Sequence, residues 1–272
     1  MSQSLEIICI GNELLIGKTL NTNAQWLAKR ITSLGLSIHR ITVVGDIIEE
    51  ISNVLKEAIH RDPTFIITTG GLGPTFDDIT LEGLATALGC RTEFNEEALK
   101  MLKDKYISYQ NEDLMDTAKL TPHRLKMAKL PEGAQPLHNP VGTAPAVFIE
   151  HENVTIITLP GVPSELKSIF DRSVANILKG TGFDITFFET SIYSIGVMES
   201  VMAPLIEKVM KNNPQVYVKS HPKGTERIPH IEFHLSTTSK NNITARIRVF
   251  NARNQLIELI QENGGKLISL NL

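Results

Sequence analysis

Hydrophobic and polar positions change period repeatedly along the first two thirds of the chain, and each change marks an element. Leu5 to Ile10 is an apolar run of strand length. From Thr22 to Leu34 apolar residues return at helical spacing; Thr22 and Gln25 have capping-box spacing, and Gly35 can close the helix in a left-handed conformation. Ser37 to Val44 predicts a second strand, and Glu49 to Arg61 a second helix with Ile51, Val54, Leu55, Ala58 and Ile59 on one face, stopped by Asp62-Pro63. Phe65 to Thr69 is apolar and β-branched, as a buried parallel strand should be, and runs straight into Gly70-Gly71-Leu72-Gly73-Pro74. Helix resumes from Thr80 to Leu88 and ends at Gly89. A polar helical stretch from about Asn95 to Lys129, interrupted at Pro122, reads as an insertion over one edge or face. Ala146 to Glu150 and Val154 to Leu159 predict strands joined by His151-Glu152-Asn153, with a helix from about Ser164 to Leu178 after them.

Alternating strands and helices predict an α/β domain, residues 1–178, with a mostly parallel sheet in three layers. Lys179-Gly180-Thr181-Gly182 breaks the pattern. Beyond it the order is strand (186–194), helix (198–212), strand (215–219), strand (229–237), helix (242–262), strand (266–269), a βαββαβ series that predicts a small ferredoxin-like α+β domain over 183–272. With 272 residues, 42% of them hydrophobic, two domains of ordinary size can each bury a core.

A net charge of −3 gives no general attraction to nucleic acid or anionic membrane, so any anion must be held locally. No stretch approaches the length of a membrane span and no basic leader precedes Leu5, which predicts a cytoplasmic protein. Cys9 and Cys90 lack metal-ligand spacing and read as structural thiols; no two histidines pair at ligand spacing on a predicted helix. Trp26, on the first helix, reads as a core or interface anchor.

Two loops compete for phosphate. Gly11 to Thr19 ends in Gly-Lys-Thr after a strand, but the first glycine of a P-loop would have to stand where Asn12 is, and Leu14 to Ile16 suit packing better than an amide cradle. The loop from Thr68 to Asp78 is better placed, between a buried strand and a helix, where glycines permit close backbone approach and helix amides favour an anion. The bland alternative is a glycine turn in which Asp78 caps the helix. Asp77 and Asp78 would repel a phosphate unless a divalent cation lies between, and Glu13 and Asp46 follow strands that should end at the same sheet edge. Arg124, Lys126 and Lys167 are candidate charge partners for a second phosphate. Lys219, His221, Lys223 and Arg227 form a basic stretch without a Gly-x-x-Gly clamp or interleaved aromatics, so it reads as a solvated loop.

Five segments in order, Gly11-Asn12-Glu13-Leu14-Leu15-Ile16-Gly17, Thr68 to Asp78, Leu130-Pro131-Glu132-Gly133-Ala134, Asn139-Pro140-Val141-Gly142-Thr143-Ala144-Pro145 and Leu159-Pro160-Gly161-Val162-Pro163-Ser164-Glu165-Leu166, resemble the competence/damage-inducible CinA family. The likeness covers about residues 5–172, and the tail resembles the family's KH-like domain more weakly. The resemblance implies the fold of the molybdopterin-binding proteins and a metal-dependent cleavage of ADP-ribose to AMP and ribose 5-phosphate. It places Asp46 and Asp78 on the functional acids, which with Glu13 would hold Mg, Mn or Co. Gly70, Gly71 and Gly73 fall on its phosphate-contacting loop and Pro160 and Gly161 on a later ligand-facing turn; Thr69, Leu72, Asn139, Gly142 and Lys167 complete the candidate substrate contacts. Pterin adenylyl transfer in molybdenum cofactor biosynthesis is the alternative enzyme, and a non-catalytic nucleotide or RNA module the alternative outside catalysis. Leu72 departs from the small polar residue usual in the pterin enzymes, and Ala146 stands where the family often has glycine. The sequence ends at Leu272, before the family's domain that deamidates nicotinamide mononucleotide, so that activity is expected to be absent. Relatives of this fold assemble, which implies a dimer or trimer.

Overall fold

A computed structural model describes residues 4–114, 117–180, 186–223 and 229–268. The chain falls into two compact units, one comprising Met1–Thr32 and Leu36–Thr181, the other Gly182–Leu272 with Ser33–Gly35.

The first unit is built on β1 (Ser4–Ile10), β2 (Ser37–Val44), β3 (Phe65–Thr69), β6 (Gln135–Leu137), β7 (Ala146–His151) and β8 (Val154–Leu159), ordered β2-β1-β3-β8-β7-β6. β2, β1, β3 and β8 run parallel, β7 is antiparallel to β8, and β6 to β7. The turn at 151–153 therefore makes a hairpin, with Glu152 in the left-handed region at φ 53. Successive residues from Leu5 to Ile10 of β1 and throughout β3, which point to opposite faces, are all buried, so the sheet is covered on both sides.

One covering layer is α3 (Ile48–His60) with α4 (Thr80–Leu88) and α5 (Glu96–Asn111), whose Ile51, Leu55, Leu84 and Leu102 share a core with Ile8, Ile66 and Ile156. The stretch expected to be an insertion is thus part of the core: α5 buries Ala98, Leu102 and Tyr106. Nor does Pro122 interrupt a helix. It opens the short α6 (Pro122–Lys126), where its missing N–H costs nothing and Thr121 caps the turn through Arg124 N. A small sheet of β4 (Thr92–Phe94) and β5 (Lys129–Pro131), unforeseen along with β6, closes this segment's base.

Elsewhere in this unit, α2 (Thr22–Ser33) is capped by Asn21, whose Oδ1 accepts from Ala24 N at 3.1 Å, in place of the Thr22–Gln25 box. The helix expected over 164–178 starts at Pro163 as α7 (Pro163–Ile169), widens into a π turn (Phe170–Val174) and ends as α8 (Ala175–Lys179). Trp26 of α2 meets Phe170 edge-on at 5.3 Å, the anchoring role expected of it. Glu6 in β1, 3% exposed, is held by a two-pronged bond from Arg61 (both contacts 2.8 Å).

The second unit has β9 (Thr186–Ile195), α9 (Glu199–Asn212), β10 (Tyr217–Pro222), β11 (His230–Ser239), α10 (Asn242–Glu262) and β12 (Lys266–Ile268). Its four strands are ordered β10-β11-β9-β12 and all pair antiparallel, the split βαβ arrangement that the βαββαβ order predicts. Ile192, Phe233, Leu235, Val249 and Leu256 belong to its own core. Arg227 lies outside the described residues. No helix among the described residues is long and apolar enough to cross a membrane.

Candidate functional site

The parallel strands β1, β3 and β8 end side by side, and their loops enclose a cavity of about 390 Å³ at that edge. Chain geometry makes the glycines necessary there. Gly70 (φ 110) approaches β1 so closely that a Cβ would stand 2.1 Å from Ile10 O. Gly71 (φ 66) leaves no more room, since a Cβ would meet Thr80 Oγ1 at 2.2 Å. Thr80 is buried because its hydroxyl donates to Gly70 O at 2.8 Å, while its amide donates to Gly71 O at 3.2 Å. The first turn of α4 is thereby stapled under the loop.

These bonds divide the expected phosphate-binding amides. Gly70 N donates to Leu159 O at 3.0 Å and is spent on the sheet, which corrects its assignment as an anion donor. The amides of Gly71, Leu72 and Gly73 donate to no other group among the described residues. Leu72 points its side chain into the core at 4% exposure, so only its backbone can serve a ligand. Asp78 does not cap α4: its Oδ2 accepts from the amide and hydroxyl of Thr75, and Thr75 also turns its hydroxyl to Asp77. That bond, with Asp77's own amide and the nearby Lys126, holds the Asp77 carboxyl below the usual carboxylate range.

The other two acids arrive from neighbouring strand ends. Asp46 is tied to the turn after β1 by a reciprocal pair, Asn12 N to Asp46 Oδ2 at 2.7 Å and Asp46 N to Asn12 Oδ1 at 3.3 Å. Glu13, in the short helix α1 (Asn12–Leu15), folds its carboxylate over Gly11, within 2.8 Å of where a Cβ would stand. All four carboxylates line the cavity. Among the described residues, no three His, Cys, Asp or Glu side chains converge into a ready-made metal cage. The donors fit a different kind of cation site. Asp46 and Asp78 each commit Oδ2 to the protein and have no hydrogen-bond partner for Oδ1 among the described residues. Single carboxylate oxygens beside free amides suit a hard divalent ion that keeps several waters and shares its coordination with a phosphate.

Several expected ligand contacts have structural work instead. Thr69 Oγ1 donates to Pro160 O at 3.0 Å, and Asn23 Nδ2 binds Thr69 Oγ1 and Gly161 O, so these atoms lock β3 to the turn after β8. Pro160 and Gly161 still wall the cavity. Asn139 is 5% exposed and fully engaged: Oδ1 accepts from Val141 N and Gly142 N, and Nδ2 donates to Ala144 O and Glu165 Oε2. It shapes the strap 139–145, whose Thr143 and Ala144 reach the cavity, and does not face a ligand. Lys167 is off the cavity, its ammonium 5.9 Å from the centre of the Trp26 ring, and Arg124 stacks on Tyr106 at 4.2 Å and donates to Lys119 O. Lys126 is the candidate cation that reaches the glycine loop, through a 2.9 Å bond to Thr75 O.

Glu165, in the segment Leu159 to Leu166, is a site residue that the sequence pattern alone does not mark. The residue lines the cavity, and its carboxylate packs on Gly142 and takes the Asn139 bond at 2.7 Å. Burial pushes its pKa up, against the opposing pull of Asn139 and Lys105. The available signal was an acid in the first helical turn after the last parallel strand, a position that shares the same sheet edge.

Fold and cavity define an α/β protein with an acid-lined cavity at the carboxyl end of a mostly parallel sheet. Residues 6–180 match the family described as a probable molybdopterin binding domain, and the chain belongs to that family. Proteins from Pyrobaculum arsenaticum and Sulfurisphaera tokodaii are each 43% identical over 264 residues, covering 97% of this chain and 97% of their own length. Among solved structures, the protein CinA of unknown function from Thermoplasma acidophilum is 39% identical, with a TM-score of 0.59, covering 65% of this chain and 98% of that one.

Proposed function

We propose that the cavity binds a phosphorylated heterocycle of the molybdopterin or nucleotide class and performs metal-assisted chemistry at its phosphate. The carrying observation is the turn Gly71 to Gly73, whose unspent amides stand at a cavity rimmed by carboxylates. Amides supply the anion's hydrogen bonds, and a Mg, Mn or Co ion shared with Asp46 and Asp78, and with Glu13 at the rim, would offset the repulsion between acids and phosphate. Such an ion would supply charge stabilisation at phosphorus, while the chain's own part is positioning. Membership of a family described as a probable molybdopterin binding domain favours a pterin as the ligand, and adenylyl transfer, the reaction of the pterin enzymes that the sequence resembles, is the leading reaction on it.

A second reading is hydrolysis of ADP-ribose-type diphosphates to AMP and a sugar phosphate. It draws support from Leu72, which gives the turn an apolar anchor in the core where pterin enzymes carry a small polar residue. Calorimetry and thermal melts with a pterin phosphate, ATP and ADP-ribose, each with and without Mg²⁺, Mn²⁺ or Co²⁺, test the proposal. A ligand at a hundred times its Kd should add about 2.7 kcal/mol to stability. Pyrophosphate release from ATP with the pterin supports transfer, and AMP release from ADP-ribose supports hydrolysis. If no compound shifts the melt with any cation, the site is not a phosphate site.

A further inference from the structure

Glu165 occupies the cavity in a way the phosphate chemistry does not use. Its carboxylate lies so flat on Gly142 that a Cβ there would meet the carboxyl carbon at 2.1 Å. Oε2 is fixed by Asn139 Nδ2, and among the described residues Oε1 has no hydrogen-bond partner. Lys105 pulls on it electrostatically but makes no ion pair with it among the described residues, its ammonium donating to Pro140 O at 2.9 Å and lying over the Tyr109 ring. The result is an immobilised, half-buried acceptor edge belonging to the 139–145 strap and α7, not to the glycine turn or the loops carrying Asp46 and Glu13.

Such a group repels a second phosphate and asks for N–H donors. A carboxylate has about four lone-pair sites, so one bond to Asn139 leaves ample capacity for two parallel N–H groups. The cavity, about 390 Å³, stands at the lower end of small-molecule sites, with room for one ring and its phosphate. We propose that Glu165 determines specificity for the ring, accepting the adjacent N–H and NH₂ of a 2-amino-4-oxo pyrimidine edge, the edge that pterins and guanine share. Adenine offers the same carboxylate one donor beside a lone pair, and hypoxanthine offers the ring N–H without the amino group.

This inference rests on the phosphate site proposed above, and the experiment separates the two. Wild-type protein is titrated calorimetrically with GMP, IMP, AMP and neopterin phosphate in Mg²⁺. Expected is tighter binding of GMP and neopterin phosphate than of AMP by roughly ten- to a hundredfold, the worth of a paired contact, with IMP between. Neopterin phosphate binding well above GMP assigns the edge to a pterin, and the reverse to guanine. Glu165→Gln keeps an acceptor for Asn139 and should erase the GMP-over-AMP ratio while AMP affinity holds. Glu165→Asp, with its charge withdrawn by one methylene, should lose the ratio as well. Ratios measured within one variant cancel any general loss of folding.

The preference should also depend on pH. Facing Glu165 are Lys105 and Tyr109 of α5 and, around the cavity, Glu13, Asp46, Asp77 and Asp78. Recognition needs the ionised carboxylate, so the GMP preference is full above the raised Glu165 pKa and falls as pH drops through it; AMP affinity should not follow. Equal binding of all four compounds, or a GMP preference that survives in both variants, overturns the assignment and leaves the phosphate site standing. No binding of any of them overturns both.

Discussion

Replacing Gly71 by alanine tests the geometry of the glycine turn most sharply, because its cost can be divided into two parts. The backbone at φ 66 charges an L-residue about 1–2 kcal/mol whatever surrounds it. The new methyl also stands 2.2 Å from Thr80 Oγ1, so Thr80 must move and its buried bond to Gly70 O is lost, a further 1–3 kcal/mol or so. The total of about 2–5 kcal/mol should lower Tm by roughly 4–20 °C, at some 2–4 °C per kcal/mol for a chain of this size. Thr80→Ala alone removes the same bond and should cost about 1–3 kcal/mol, yet it also clears the space the methyl needs. The double variant should therefore be barely less stable than Gly71→Ala, with a coupling of about 1–3 kcal/mol in a denaturation cycle. Additivity within about 0.5 kcal/mol, or a Gly71→Ala variant as stable as wild type, would refute the close packing of the turn on α4. Because the same turn presents the free amides, Gly71→Ala should also weaken binding of any phosphorylated ligand.

Asp46→Asn and Asp78→Asn should each weaken Mg²⁺-dependent ligand binding by about tenfold or more while metal-independent binding changes little; equal effects with and without the ion would remove the cation from the site. Arg61→Met should destabilise the first unit by about 3–5 kcal/mol in urea, since it strands Glu6, 3% exposed, without its partner; a loss under about 1 kcal/mol would show that water reaches Glu6. The folded-state pKa of Glu165 is raised, so its contribution favours folding at low pH and is lost as pH rises through that value. Glu165→Gln should thus gain stability relative to wild type towards neutral pH and lose that gain on acidification, and a pH-independent difference in Tm would contradict the burial argument. Glu232 should behave oppositely. Burial alone would raise it, but hydrogen bonds from Ser191, Lys223 and Tyr193 bring it below its usual range, so its stabilising contribution is present at neutral pH. That contribution disappears as pH falls through the lowered value, and Glu232→Gln should flatten the acid limb of the stability curve.

How far the sequence reveals such a site depends on whether the bond in question is local. Phe65 to Thr69 and Ser37 to Val44 were legible to the residue, because a short β-branched run bounded by turn residues has one reading. The stretch 95–129 was misread because its polar face dominates its composition, while the three side chains that matter, Ala98, Leu102 and Tyr106, declare themselves only against strands far away in sequence. The site divides along the same line. A glycine loop after a buried strand announces itself as a place where backbone approaches something closely, and the acids after β1 and β2 fall at the same edge once parallel pairing is assumed. What spacing cannot say is which amides and carboxylates are already spent. Gly70 gives its N–H to Leu159, Asn139 uses both ends of its amide within the strap, and Asp78 serves Thr75 instead of α4. Glu165 is the converse case, an acid left with an open acceptor because Asn139 occupies only one of its oxygens and the Lys105 ammonium donates to Pro140 O. A residue's chemistry at this sheet edge is set by what its long-range partners leave unsatisfied, so among the described residues the groups able to meet a ligand include the Gly71 to Gly73 amides, Oδ1 of Asp46 and Asp78, the Glu13 carboxylate, and Oε1 of Glu165. Any ligand proposed for the cavity has to match those groups together: an anion at one part of its surface and hydrogen-bond donors at another.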